Sequence, residues 1–502
     1  MNLKRIALLN SITSGLEFLA RLLVSFILNP IIVSSLGTYL FGVWKILGQL
    51  NSYMATGDIR AATSLKWIIS KERNVKSNKE LSITYSTALF SFLLLLPVYI
   101  LIGIIIMYFV PSITKVTDEY KGIVVATSLV LILTFILTQF IFLYESLLQA
   151  MNLAYKRIGV RAIIILFGGV LSVILLKLNY SIISLALVQL LVVILTGLTL
   201  YYIAKKNIIW LKILKVKFKN ILEFTSLSVV FFLQRLGNLA NISSDLLLLG
   251  YFAGPIYVAQ YTFTMFAMTG LQGIVTMIST SILPGLGSFW GEKNYSKIYF
   301  IRNKIIELKR FLLTIGAVII CLLNKSFVTL WIEDGLQYAG NIETYIINLI
   351  IIFRTISLID KSFLNISLNI KKLTIYTILL AVVTCLSSAL IIPILFIKGL
   401  LFVLLINSIL ENIINISILK KYFIGKNLII DIFYSRTFIY SNILILLSMI
   451  LSQFIFFNNW LNIILFGFVL FIFLSALYYF VILSRNNRLW FKNSILTSLS
   501  KK

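Results

Sequence analysis

The sequence contains no histidine, and only two cysteines and six prolines in 502 residues. Without histidine the commonest proton shuttle and metal ligand is missing, so any proton coupling must use carboxylates. Cys321 and Cys385 fall within apolar stretches and define neither a disulfide framework nor a metal-binding spacing. Charge is scarce as well: 12% of residues are charged, against about 25% in a soluble domain. Acidic charge is scarcest, with 17 Asp and Glu against 44 Lys and Arg. There is no P-loop, no zinc-type spacing and no serine elbow of the G-x-S-x-G type. The expectation is therefore a protein that is not an enzyme and has neither cofactor nor metal. An ATP-driven pump of this kind would need another subunit to supply the nucleotide site.

What is present is hydrocarbon. Hydrophobic residues make up 60% of the chain, and the mean hydropathy is +1.01. Apolar runs recur from end to end, each near the roughly 20 residues that a spanning helix needs. They do not alternate at period two, which argues against a β-barrel. Spans are expected at 9–35, 38–57, 82–110, 122–150, 158–177, 182–204, 221–250, 256–284, 308–330, 343–366, 373–396, 400–418, 437–457 and 461–484. The fold class is thus all-α and polytopic, with about 14 transmembrane helices. The start, Met1-Asn2-Leu3-Lys4-Arg5, is basic, but the run after it carries Glu17 and Arg21 and continues to Pro30. It reads as a retained first helix rather than a signal peptide.

The excess of basic charge does not mark a nucleic-acid binder, because it is not gathered in one domain or tail. Most Lys and Arg lie in alternate short loops, including 58–81, 205–220, 285–310 and 419–436. The opposite loops hold only Lys115, Lys121, Lys177, Lys325 and Lys398, together with acidic residues such as Asp118, Glu119, Glu333 and Glu343. By the positive-inside rule this predicts an even number of spans with both termini in the cytoplasm. The segment 205–220 divides the chain into an N-terminal six-helix bundle, 1–204, and a C-terminal one, 221–418. Two further helices and a cytoplasmic tail fill 419–502. A weak internal repeat crosses the divide: Phe18-Leu19-Ala20-Arg21-Leu22 is similar to Phe232-Leu233-Gln234-Arg235-Leu236. Repeated halves are common in transporters.

An ionisable group at the centre of a spanning helix costs about 2.5–3.5 kcal/mol even on lenient scales, so such groups normally face a cavity or a partner. Asn10, Ser14, Glu17, Arg21 and Ser25 fall within about 80° around the first span. Gln234, Arg235, Asn238, Asn241 and Asp245 form a wider stripe in the seventh. Arg354, Ser357, Lys361 and Asn365 form a third, in the tenth. The second span offers Lys45 and Gln49, and the eighth offers Gln260 and Thr264. The cations Arg21, Arg235, Lys45 and Arg354 outnumber nearby acids, and arginine's planar fork suits phosphate. They are the candidate substrate-binding residues. Glu17, Asn238, Asn241, Asp245 and Gln260 are the candidate polar lining, with Glu17 and Asp245 as candidate proton or sodium sites. A structural ion pair is the alternative for Glu17 with Arg21, and for Arg235 with Asp245. Asp360 and Lys361 are expected to snorkel to the cytoplasmic interface, and Glu145, Gln149 and Glu411 to be solvated there. The last two spans carry almost no charge and read as peripheral, lipid-facing helices.

Asn29-Pro30-Ile31-Ile32-Val33-Ser34-Ser35-Leu36-Gly37-Thr38-Tyr39-Leu40-Phe41-Gly42-Val43-Trp44 resembles the turn after the first span in polysaccharide transporters of the Wzx type. Asp58 through Arg73 resembles their second cytoplasmic loop. Leu247 through Tyr261, and Ile282-Leu283-Pro284-Gly285, resemble their seventh and eighth spans. The resemblance implies the fold of the multidrug/oligosaccharidyl-lipid/polysaccharide exporter superfamily: two six-helix bundles around a central cavity, with two extra helices. It implies a flippase for undecaprenyl-pyrophosphate-linked oligosaccharide in the bacterial cytoplasmic membrane, working beside a polysaccharide polymerase and other assembly proteins. A lipid II flippase, an ion-coupled small-molecule exporter and a non-transporting scaffold of envelope assembly are the alternatives.

Overall fold

The computed structural model describes residues 3–56, 61–72, 76–157, 159–225, 244–280, 293–333, 335–366, 370–483 and 488. Among these residues there is no strand. The helices are α1 (Leu3–Thr56), α2 (Ala61–Glu72), α3 (Asn78–Ile113), α4 (Asp118–Ala150), α5 (Val160–Lys177), α6 (Ile182–Asn207), α7 (Asp245–Phe252), α8 (Pro255–Thr280), α9 (Tyr295–Ile332), α10 (Asn341–Ile366), α11 (Ile370–Leu419), α12 (Arg436–Leu451) and α13 (Trp460–Leu477). Nine described helices are long and apolar enough to cross a membrane. Two of these, α1 and α11, are each broken once. The break in α1 is at Gly37 (φ 80°, ψ 162°), where only glycine adopts the backbone at low cost. The break in α11 is at Phe396 (φ 49°, ψ −127°). Each half is of spanning length, and the breaks fall where the sequence divides spans one from two and eleven from twelve. The protein is an all-α polytopic membrane protein, and with the two breaks counted its described residues hold eleven segments of spanning length, in keeping with the expected total of about 14.

Local sequence sets several helix starts. Ser77 accepts from the Glu80 backbone N–H while the Glu80 carboxylate accepts from Ser77, a reciprocal cap at the start of α3. Asn294, Ser435 and Asn459 cap α9, α12 and α13 in the simpler way.

Two segments expected as cytoplasmic loops are largely helical. Residues 58–81 contain α2, and 285–310 contain the first four turns of α9. Their basic residues were read as loop charge, but at helical spacing they also leave an apolar stripe that packs. Leu65 and Ile69 of α2, for example, are fully buried.

By contacts the chain divides into two compact units, Met1–Ala259 and Gln260–Lys502. In the first, α4 packs against α6, α1 against α5, and α2 and α3 against α4. An aromatic cluster joins α3 to α4, with Tyr99 edge-on to Phe135 at 5.7 Å. After α6 the chain runs extended along α3: Ser82 Oγ donates to the Trp210 carbonyl, and Ser86 Oγ accepts from Leu214 N at 2.9 Å. The expected connecting segment 205–220 is thus held on the first unit by hydrogen bonds between its backbone and serine side chains of α3. In the second unit α10 packs against α11, and α9 against α10, α12 and α13. The most apolar window of α13 is only 17% buried, against 67% for α10. That contrast fits a peripheral, lipid-facing helix at the end of the chain.

Candidate functional site

Five charged residues of the first unit, Glu17, Arg21, Glu145, Arg157 and Arg161, converge at one end. There α1 is in its first third, α4 finishes and α5 begins. A 3-10 turn, Ala154–Arg157, and Gly159 (φ 79°) reverse the chain between α4 and α5. The reversal brings Arg157 and Arg161 back onto Glu145 of α4 and Glu17 of α1. Arg157 Nη1 donates to Glu145 Oε1 at 2.7 Å, and Arg161 Nη1 donates to the same carboxylate at 3.2 Å. Glu17 lies 3.6 Å from Arg157, 3.5 Å from Arg161 and 3.9 Å from Arg21. Three guanidinium groups therefore face two carboxylates, leaving one positive charge in excess. The members are not equally available. The Glu17 and Arg157 side chains are buried, whereas that of Arg21 is 59% exposed and its contact to Glu17 is long.

This cluster opens on a cavity of about 340 Å³ between α1, α4, α5 and α6. Arg21, Arg161 and Glu145 line its charged end. Asn51, Thr134, Thr138, Gln189 and Thr196 give the rest of the wall its polar groups. Asn51 Oδ1 is buried there without a hydrogen-bond partner. It is an acceptor set in the wall for a donor such as a hydroxyl.

The other sequence candidates fall as follows. Lys45 is not in this wall: its Nζ donates to Asn29 Oδ1 at 3.1 Å and sits over the Phe41 ring at 4.9 Å. It ties the two halves of α1 across the Gly37 break. Asp245 is buried at the first turn of α7, where its carboxylate accepts from Leu246 N. Gln260 begins the described part of the second unit on α8, and its carbonyl accepts from Thr264. Arg354 is half-buried on α10, in the second unit. Arg235, Asn238 and Asn241 lie outside the described residues.

Three expectations need correction. Glu145 is not free in solvent; it is largely covered and lies between two arginines, facing the cavity. Asp360 and Lys361 do not snorkel. Asp360 is fully buried and bound bidentately by Arg302 of α9 at 2.6 and 2.7 Å, and Lys361 pairs with Glu411. Glu411, also expected in solvent, accepts from Ser357 at 2.8 Å. The physical reason is the same throughout. Each residue lies near the end of its span, but a neighbouring helix overruns that end and covers it. For Asp360 that neighbour is α9, which starts well before the span assigned to it.

Arg157 and Arg161 were counted only as topology charges. One further signal was available in the sequence: Thr134, Thr138 and Glu145 repeat at four and seven, a polar face running along α4.

The sequence pattern of a known family covers this region. The model of the polysaccharide biosynthesis protein family matches residues 8–290, which include the whole cluster. The chain belongs to the polysaccharide biosynthesis protein family. Among solved structures it is similar to "Lipid II flippase MurJ, inward closed conformation", with a TM-score of 0.70 and 16% identity over 93% of this chain and 98% of that one. It is also similar to a multidrug resistance MATE family transporter of the MOP superfamily in its inward-facing conformation, with a TM-score of 0.60 and 13% identity over 89% of this chain and 96% of that one. The outward-facing conformation of such a transporter matches with a TM-score of 0.54 and 15% identity, over 88% and 95%. At these identities the likeness defines the fold. A search of curated protein sequences gives no match.

Proposed function

We propose that this member of the family is a flippase. It moves an undecaprenyl-pyrophosphate-linked oligosaccharide, the repeat unit of O-antigen or another surface polysaccharide, across the bacterial cytoplasmic membrane by alternating access. The observation that carries the reading is the cavity in the first unit, with Arg21 and Arg161 at one end and beyond them a mixed wall, in which Thr, Asn and Gln side chains are set among Phe135, Ile141, Phe142, Ile165, Val192 and Val193. Guanidinium groups in a membrane-embedded cavity attract an anion, and their fork matches phosphate oxygens. The Asn and Gln amides and the Thr oxygens set in that wall suit sugar hydroxyls. An exporter of cationic drugs would need an acidic cavity, which three arginines against two glutamates do not provide.

In this reading the cluster lies at the cytoplasmic side, where the loop charge places the N-terminus, and both termini are cytoplasmic. Arg21 is the group free to engage the pyrophosphate. Arg235 and Arg354 are further candidate contacts. Glu17 and Asp245 are candidate sites for a coupling proton or sodium ion. A polysaccharide polymerase would take up the product on the far leaflet.

A second reading, lipid II as substrate, draws support from the fold likeness to a lipid II flippase and needs the same cationic cavity. One experiment addresses both. Arg21→Gln and Arg235→Gln are expressed in cells lacking the native gene. Lipid-linked glycan is expected to build up on the cytoplasmic leaflet, with the protein inserted at its normal level. Normal surface glycan in both variants, with no build-up of lipid II, overturns the cavity reading. Accumulation of lipid II with normal surface glycan selects the second substrate.

A further inference from the structure

The same two helix faces that carry the arginines continue into an apolar groove. On α1, Arg21, Val24 and Leu28 follow steps of three and four and share one face; on α5, Arg161, Ile165, Gly169 and Val173 do the same at steps of four. Arg21, Arg161 and Ile165 line the charged cavity. Val24, Leu28, Gly169 and Val173 line a second cavity of about 290 Å³, whose entire lining is apolar. From Arg161 to Val173 the seam rises about 18 Å along the helix axis.

Its concave shape has a local cause. A Cβ at Gly169 would lie 2.7 Å from Val24 Cγ2, so only glycine permits the backbones to approach this closely. That contact is the floor. Leu23 and Ile27 on one side, and Leu166 and Val170 on the other, stand up from it as exposed walls. An ordinary lipid-facing surface differs in kind. The exposed side of α13 carries no charge anywhere along the helix, whereas this groove ends at two arginines.

The geometry points to the α1–α5 seam as the seat of the substrate's hydrocarbon chain, with its diphosphate at Arg21 and Arg161. This rests on the flippase reading and names where the lipid part of that substrate lies. The occupant is a single diphosphate-linked polyprenyl lipid. The charge at one end of the groove matches its headgroup, and the uniformly apolar wall matches its chain. During transport the headgroup could then enter the polar cavity while the chain stays in contact with α1 and α5, so no long hydrocarbon needs to pass through the protein.

The test uses the full-length protein in phosphatidylcholine nanodiscs and a polyprenyl diphosphate bearing a diazirine on its chain. Photoadducts, mapped by mass spectrometry, are expected to concentrate in residues 23–28 and 166–174. Unlabelled polyprenyl diphosphate should compete for them, and the same amount of phosphatidylglycerol should not. Val170→Trp fills the groove from an exposed position (60% exposed). It is expected to lower affinity about tenfold, as displacing roughly two methylenes of contact would. Leu198→Trp, equally exposed at 61% on α6 but outside the groove, should leave affinity unchanged. Adducts spread evenly over the lipid-facing helices, or equal competition by phosphatidylglycerol, overturn the groove. If binding still depends on Arg21 while the adducts spread evenly, the groove fails and the flippase reading stands. If no Arg21-dependent binding occurs, both fail.

Discussion

At the scale of single residues, the charges inside this protein are held by one another. A buried ion pair recovers its desolvation cost only when its geometry is good, and removing one partner strands the other. Arg302 and Asp360 show the extreme case, with both side chains fully buried and two short hydrogen bonds between them. Asp360→Ala is expected to destabilise the second unit by about 3–5 kcal/mol, read as a fall in the thermal midpoint in detergent. The double change Arg302→Met with Asp360→Leu should recover most of that loss, because no lone charge remains. A double variant as unstable as the single one would show that the pair's hydrogen bonds, not its stranded charge, set the cost. In the first unit, Glu145→Gln removes the carboxylate that orients Arg157 and Arg161. The contact of Arg21 to Glu17 is long and its side chain is 59% exposed, so Arg21→Gln should leave the thermal midpoint nearly unchanged while blocking transport. That contrast separates a substrate contact from a structural one, and comparing midpoints with glycan export measures it.

At the scale of elements, close approach of helices decides which faces meet. Gly42 of α1 packs on the first residue of α8, where an added Cβ would fall 2.0 Å from the Pro255 carbonyl oxygen. The obstacle is backbone rather than a movable side chain. Gly42→Ala is therefore expected to cost at least the 1–3 kcal/mol typical of overpacking, seen as a lower thermal midpoint. An unchanged midpoint would mean that α1 and α8 separate freely at this point. The break at Gly37 belongs to the same scale. It converts one long helix into two spans, and Lys45 bound to Asn29 ties them across it. Lys45 was a candidate cavity residue because it is a cation in a spanning segment. Its observed partners give it a tethering role, which the sequence could not show because Asn29 lies sixteen residues away across the break.

At the scale of the whole molecule, the order of helices follows the hydropathy pattern. Runs of about 20 apolar residues must be helical in a bilayer, since every backbone polar group has to be satisfied within the segment. That constraint is local, so the span positions among the described residues, the breaks at Gly37 and Phe396 and the peripheral character of the last helix were legible in the sequence. The matched family covers residues 8–290, in keeping with the motifs around Asn29–Trp44. The candidate site was legible only in part. Glu17 and Arg21 share a helix and reveal themselves by spacing. Arg157 and Arg161 belong to it only because Gly159 reverses the chain, and Glu145 is partly covered only because α1 and α5 close over it. The sequence alone determined which segments cross the membrane and that basic charge exceeds acidic charge within them. The tertiary structure decided which charges neutralise one another and which remain available, because that depends on the packing of helices far apart in the chain.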